Sequence, residues 1–128
     1  MRFILMANAD STSEAGGAPN LQLMAAIGQL AEEWTRAGVL VGTGGLLPSS
    51  SGARLRCSGG ELTVIDGPFP ETKELIAGYA IVDVRSKAEA IELASRFMLL
   101  HREILGPTWE GRSEIRQMYD DRDVTPCV

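Results

Sequence analysis

"RLRCSGGELTVID" (Arg54–Asp66) consists of two short strand-like runs joined by Gly59-Gly60. A glycine pair between such runs supplies the backbone freedom a two-residue turn requires, so the stretch reads as a β-hairpin. With that turn, Ser58 faces Glu61, Cys57 faces Leu62, Arg56 faces Thr63 and Leu55 faces Val64. Leu62, Val64 and Asp66 then share one face of the second strand.

The elements on either side follow from this antiparallel centre. Upstream, "RFILMA" (Arg2–Ala7) is a short apolar run that reads as a buried strand. "NADSTSEAGGAP" is polar and rich in Gly, Ser and Pro, hence a loop. From Asn20, Leu23, Ile27, Leu30 and Trp34 recur at helical spacing, with Asn20 as cap and Gly38 just past the end. "VLVGTG" is a second strand and "GLLPSSSGA" a loop. Downstream, "GYAIVDV" (Gly78–Val84) is a strand. "SKAE" at Ser86 is a capping box completed by Glu89, and it opens a helix carrying Ala88, Ile91, Ala94, Phe97 and Met98 on one side. "GPTWEG" breaks the chain before a last strand, "SEIRQMY" (Ser113–Tyr119). Residues 120–128 read as a loosely held tail.

The order is strand, helix, strand, hairpin, strand, helix, strand: an α+β chain with a mostly antiparallel sheet and two helices. "RFILMA" and "YAIVDV" are apolar at odd and even positions alike, so both faces of the sheet call for burial. Two helices on so small a sheet cover one face. The other is expected to be covered by a second copy of the chain, in a homodimer packed sheet to sheet and burying about 2,000 Å² or more. The alternative is a monomer with a partly solvated outer face.

Composition narrows the function classes. At 128 residues the chain is expected to form a single domain, 1–128. The net charge is −5 and no basic run occurs, which disfavours nucleic acid as a partner. The cysteines, Cys57 and Cys127, stand far apart, and with one histidine in the chain a Cys/His metal site is not expected. No run approaches the roughly 20 apolar residues of a membrane span, and no leader pattern opens the chain. A cytoplasmic protein with no cofactor is the expectation.

The residues able to carry chemistry are few. Asp66 continues the row of Leu62 and Val64, so its carboxylate is expected at an interior edge, as an Asx-turn cap or as a group at a cleft mouth. Pro68 and Pro70 take the chain off the sheet, and Phe69 between them is expected to insert into a core or a dimer seam. Glu71, Thr72, Lys73 and Glu74 form either a solvated turn or a ligand-facing surface. Gly78 before Tyr79 suggests close backbone approach or a bulge. His101 continues the stripe of Ala94 and Phe97, and histidine is the residue type to consider first in acid–base chemistry near neutral pH. Arg116, on the face of Glu114 and Met118, is either an ion-pair partner or an anion clamp. Gly44-Gly45 lacks any phosphate-loop context and is a turn signal.

"DGPFPETKELIAGY" (Asp66–Tyr79) resembles the signature of DGPF-domain proteins of the YCII-related (YciI-like) group, close to D-G-P-F-x-E-T-K-E-x-x-x-G-[FY]. Asp66, Gly67, Pro68, Phe69, Glu71, Thr72, Lys73, Glu74, Gly78 and Tyr79 fit it. The opening strand, "AGVLVGTGGLLPSSSGARLR", the hairpin and "EIRQMYD" are also similar to family segments. The resemblance implies a ferredoxin-like fold that dimerises through its sheets into an α+β barrel. It also implies a cleft near the dimer interface with signature residues around it, and many relatives resemble small partners encoded beside extracytoplasmic-function sigma factors. Some relatives are enzymes, one a dehydrochlorinase-type lyase, discussed in terms of a histidine–aspartate pair; this chain has no histidine near its first helix.

Two functions follow as expectations. One is a small dimeric protein that binds a small polar or anionic molecule, accessory to sigma-factor-linked signalling. There Glu71, Thr72, Lys73, Glu74, Tyr79 and Arg116 would contact the ligand. The other is a cofactor-independent lyase, isomerase or hydrolase using Asp66 or His101 as acid or base, with Lys73 and Arg116 holding an anion.

Overall fold

A computed structural model describes residues 1–16 and 20–119; the tail expected at 120–128, with Cys127, lies outside the described residues. The elements are β1 (Arg2–Asn8), α1 (Ser11–Glu14), α2 (Leu21–Arg36), β2 (Leu40–Gly45), β3 (Ala53–Ser58), β4 (Glu61–Asp66), β5 (Ile76–Asp83), α3 (Lys87–Leu105) and β6 (Ser113–Gln117). Strands β2, β5, β1 and β6 form an antiparallel sheet in that order, and β3 with β4 forms a separate two-stranded sheet. Without the hairpin, the order strand–helix–strand–strand–helix–strand and this strand arrangement are ferredoxin-like. The α+β reading therefore holds, with the hairpin inserted between adjacent strands β2 and β5.

Local chemistry places the ends of the helices. Asn20 caps α2, accepting from the Leu23 N–H at 2.9 Å, and Gly38 takes a φ of +75° just beyond its last turn. Ser86 caps α3 by accepting from Glu89 N–H at 3.2 Å, while the Glu89 carboxylate accepts from Arg85 N–H at 3.0 Å. The hairpin register is as the sequence predicts at all four expected pairs, because Gly59 and Gly60 both adopt positive φ, +60° and +80°. One expectation needs correction: the segment read as a loop after β1 contains the short helix α1, where Asp10 caps by accepting from Ser13 N–H at 2.7 Å.

The core lies between the helices and one sheet face. Phe3, Leu5, Leu30, Trp34, Val82, Val84, Ala90 and Ala94 are buried there, each large apolar side chain contributing about 1.5–3 kcal/mol. An ion pair between Glu33 and Arg96 links α2 to α3 on the surface. The opposite sheet face carries Ile4 beside Ile81 and Arg116, and Met6 beside Tyr79 and Glu114. This apolar row is half-buried, while α2 and α3 pack on the other face.

Candidate functional site

Between α2, α3 and the core face of the sheet lies a cavity of about 420 Å³. Helix periodicity builds two of its walls: Ile27, Ala31 and Trp34 stand at steps of three and four on α2, and Ala94, Phe97 and His101 do so on α3. The sheet supplies the floor through Leu5, Thr43, Ala80 and Ser113, and Met24 stands at its exposed edge. The lining is mainly apolar, and among the described residues it includes no Asp, Glu, Lys or Arg. That volume lies within the range of small-molecule sites, roughly 300–1,000 Å³.

The polar groups on this lining are specific. Trp34 is 5% exposed, and its indole Nε1 is buried with no hydrogen-bond partner among the described residues. The Thr43 hydroxyl is already engaged, donating to the Tyr79 carbonyl at 2.9 Å. The His101 Nδ1 lies 2.8 Å from the Phe97 carbonyl oxygen. A carbonyl only accepts, so Nδ1 is the donor in this contact. The ring is held between Phe97, centroid to centroid 4.5 Å, and Trp109, stacked at 5.1 Å. Trp109 lies in the "GPTWEG" stretch, which as sequence reads only as a break. Its role in fixing His101 depends on the return of the chain against α3 and has no local signal.

The Asp66–Glu74 part of the signature sits elsewhere. Asp66 ends β4 opposite Ala53 and is exposed, as are Leu62 (66%) and Val64 (61%) on its face. The expectation of an inward-pointing carboxylate is therefore corrected: the register is right, but the hairpin stands outside the main sheet, so no interior lies beside that face. No hydrogen bond engages the Asp66 carboxylate among the described residues, which leaves the Asx-cap alternative without its bond. Phe69 is not part of the main core; its ring lies under the Arg54 guanidinium, 3.9 Å from the centroid.

Backbone contacts account for the shape of this segment. Gly67 N–H donates to Gly52 O at 2.9 Å, and a Cβ on Gly67 would lie only 1.8 Å from Ser49 O. Phe69 N–H donates to Ser49 Oγ at 2.9 Å, and Ser49 itself donates through N–H and hydroxyl to Glu14 of α1. Thr72–Glu74 forms a single 3-10 turn. Its Lys73 carbonyl accepts from Asn8 Nδ2 at 3.4 Å and from Arg112 Nη2 at 3.1 Å. Glu71, Lys73 and Glu74 are exposed and Thr72 half-buried, and none of the four lines the cavity. Arg116 pairs with Glu114 at 3.3 Å on the outer face, both well exposed, an arrangement that adds little stability. Of the candidate catalytic and ligand-binding residues, His101 is the one whose side chain the structure brings to the cavity, which Gly44, Gly45 and Gly78 also border. Tyr79 borders it through its backbone alone: its ring shares the outer face with Met6 and lies across Gly44 of β2, where a Cβ would come within 2.9 Å.

Among the described residues there is no cluster of three His, Cys, Asp or Glu able to hold a metal ion, and no helix long and apolar enough to cross a membrane. A family model described as "YCII-related domain" matches residues 1–99. An uncharacterised protein of Rhizobium meliloti (strain 1021) is 37% identical over 73 residues, which are 57% of this chain. The match spans 59% of that relative's own length.

Proposed function

The chain belongs to the YCII-related domain family, and from that premise we propose that it is a small-molecule-binding protein whose ligand occupies the cavity between the two helices and the sheet. The observation that carries this reading is the concave, mainly apolar volume with few polar groups on its wall, the usual form of a ligand site. A ligand-dependent rise in melting temperature follows from binding to the folded state alone. A thermal-shift screen of small metabolites should therefore give hits with the wild type that disappear in the cavity-filling variant Ala31→Leu. A broad screen without a shift would overturn the reading. The sequence reading instead places a polar or anionic ligand near the dimer interface, and of its contact residues Lys73 and Arg116 do not line this cavity.

The protein acts as a homodimer in this reading, its two outer sheet faces packed together. Ile4, Met6 and Ile81 form the apolar row that a second copy would cover, as face-to-face sheets do. Light scattering on a sizing column should give twice the monomer mass at micromolar concentration, and a stable monomer would refute it.

A cofactor-independent enzyme is the second reading, and His101 favours it. Its ring lines the mainly apolar cavity and is held by two aromatic neighbours, with Nδ1 bonded to the Phe97 carbonyl. His101→Gln should then abolish turnover of any substrate found while leaving the melting temperature within a few degrees. Asp66 enters this reading only if a partner subunit brings a ligand to the exposed hairpin.

A further inference from the structure

Resting on the dimer reading above, the hairpin supplies a further interaction surface. We propose that the β3–β4 hairpin is an arm that lays its Leu55, Leu62 and Val64 face on a second copy of the chain.

The two faces of the hairpin differ. Cross-strand pairing sets Leu55 opposite Val64 and Cys57 opposite Leu62, so these four share one face, with Ala53 and Asp66 at its base. Leu55 and Leu62 are 66% exposed and Val64 is 61% exposed. Arg54, Arg56 and Glu61 stand on the other face, where the Arg54 guanidinium already covers the Phe69 ring. A contiguous exposed apolar face marks an interaction site. A hairpin standing alone is also marginal in water and needs a surface to pack on. Here every residue of both strands is exposed within the chain.

What a stable dimer needs selects the occupant. Alternation turns about half of the residues of β1, β2, β5 and β6 outward, roughly 13 a side, where a stable interface takes roughly 20–30. The sheet face alone falls short, and the hairpin face brings the count close to the lower end of that range. The arm is long enough: strands of six residues run about 20 Å, twice the ~10 Å between packed sheets. Its Leu55, Cys57, Leu62 and Val64 bring no charge into the contact. In a two-fold dimer the contact forms twice, so each of these side chains counts double.

The position of Cys57 provides the test. In Cys127→Ser the remaining thiol, Cys57, lies in the middle of the apolar face. Adding Cys57→Ser and Ser58→Cys moves the thiol to the opposite face of the same strand. The rate with Ellman's reagent is measured for both proteins, each relative to its own urea-unfolded chain, and analytical ultracentrifugation gives the dimer Kd. The Cys57 thiol is expected to react several-fold more slowly than the one introduced by Ser58→Cys. Leu62→Ser should raise the Kd roughly tenfold or more with the circular dichroism spectrum unchanged. If that variant does not fold, the two thiol rates decide alone. Equal thiol rates, or an unchanged Kd in Leu62→Ser, overturn the arm; in a chain that still dimerises they leave the sheet-to-sheet reading standing and the hairpin open to a different protein. A Kd raised by Leu62→Ser and untouched by Met6→Ser supports the arm and overturns the sheet seam. A chain that stays monomeric at micromolar concentration overturns both.

Discussion

Replacing Gly67 by alanine should cost the protein more than any other single methyl group added to the signature turn. The new Cβ would lie 1.8 Å from Ser49 O and 2.7 Å from Ser49 C, both backbone atoms, so no side-chain rotation relieves the overlap. The segment around Ser49–Gly52 must swing away from the turn. Doing so breaks Gly67 N–H to Gly52 O and Phe69 N–H to Ser49 Oγ, both 2.9 Å, and loosens the Ser49 contact with the Glu14 carboxylate. Two neutral bonds at about 0.5–1.5 kcal/mol each, and part of one to a charged group at about 1.5–3 kcal/mol, sum to about 2–4 kcal/mol. For a chain of this length that is a fall in melting temperature of roughly 8–16 °C. Urea denaturation followed by circular dichroism measures the free energy directly, and the midpoint should fall with the slope unchanged. The main sheet does not touch Gly67, so the far-ultraviolet spectrum at low denaturant should stay close to wild type. A Gly67→Ala protein melting within about 2 °C of wild type would refute the packing account of the signature glycine.

Other substitutions test separate parts of the fold. Gly28 lies inside α2 on an exposed face, and a Cβ there would meet nothing within 4 Å, so Gly28→Ala should raise stability by about 0.5–1 kcal/mol in the same denaturation assay. Ser86→Ala removes the cap of α3 and should lower stability by about 1 kcal/mol. Asp66→Asn should change stability by less than about 0.5 kcal/mol, because the carboxylate is exposed and makes no hydrogen bond among the described residues; a larger loss would restore the turn-cap role.

The features legible in the sequence are those determined within a few residues. Gly59-Gly60 sets the hairpin register, Asn20 and Ser86 the helix starts, and Gly38 the end of α2, because turns and caps act locally. The stripe that ends in Leu30 and Trp34 also faces the core, as periodicity predicts. Long-range placement is not legible in the same way. Asp66 has the right register and the wrong surroundings, since nothing in "LTVID" says whether its hairpin joins the main sheet. His101 stands out by its chemistry, but its clamp by Trp109 depends on chain return after α3. Trp34 reads in the sequence as one more apolar position, which does not show that its indole N–H is left without a partner among the described residues.

The hairpin's attachment has a consequence for how this chain can change. Strands β2 and β5 are direct neighbours and still bond where the excursion begins and ends, Leu46 N–H donating to Ala77 O at 2.8 Å. Exit and re-entry thus lie about one strand spacing apart, near ~4.8 Å. The segment between Leu46 and Ala77, including the most distinctive letters of the chain, forms a graft on a sheet already closed without it. Excising it in favour of a two-residue turn leaves every strand of the main sheet its partners. Drift in length and composition can accumulate in the graft while the ferredoxin-like scaffold stays the same.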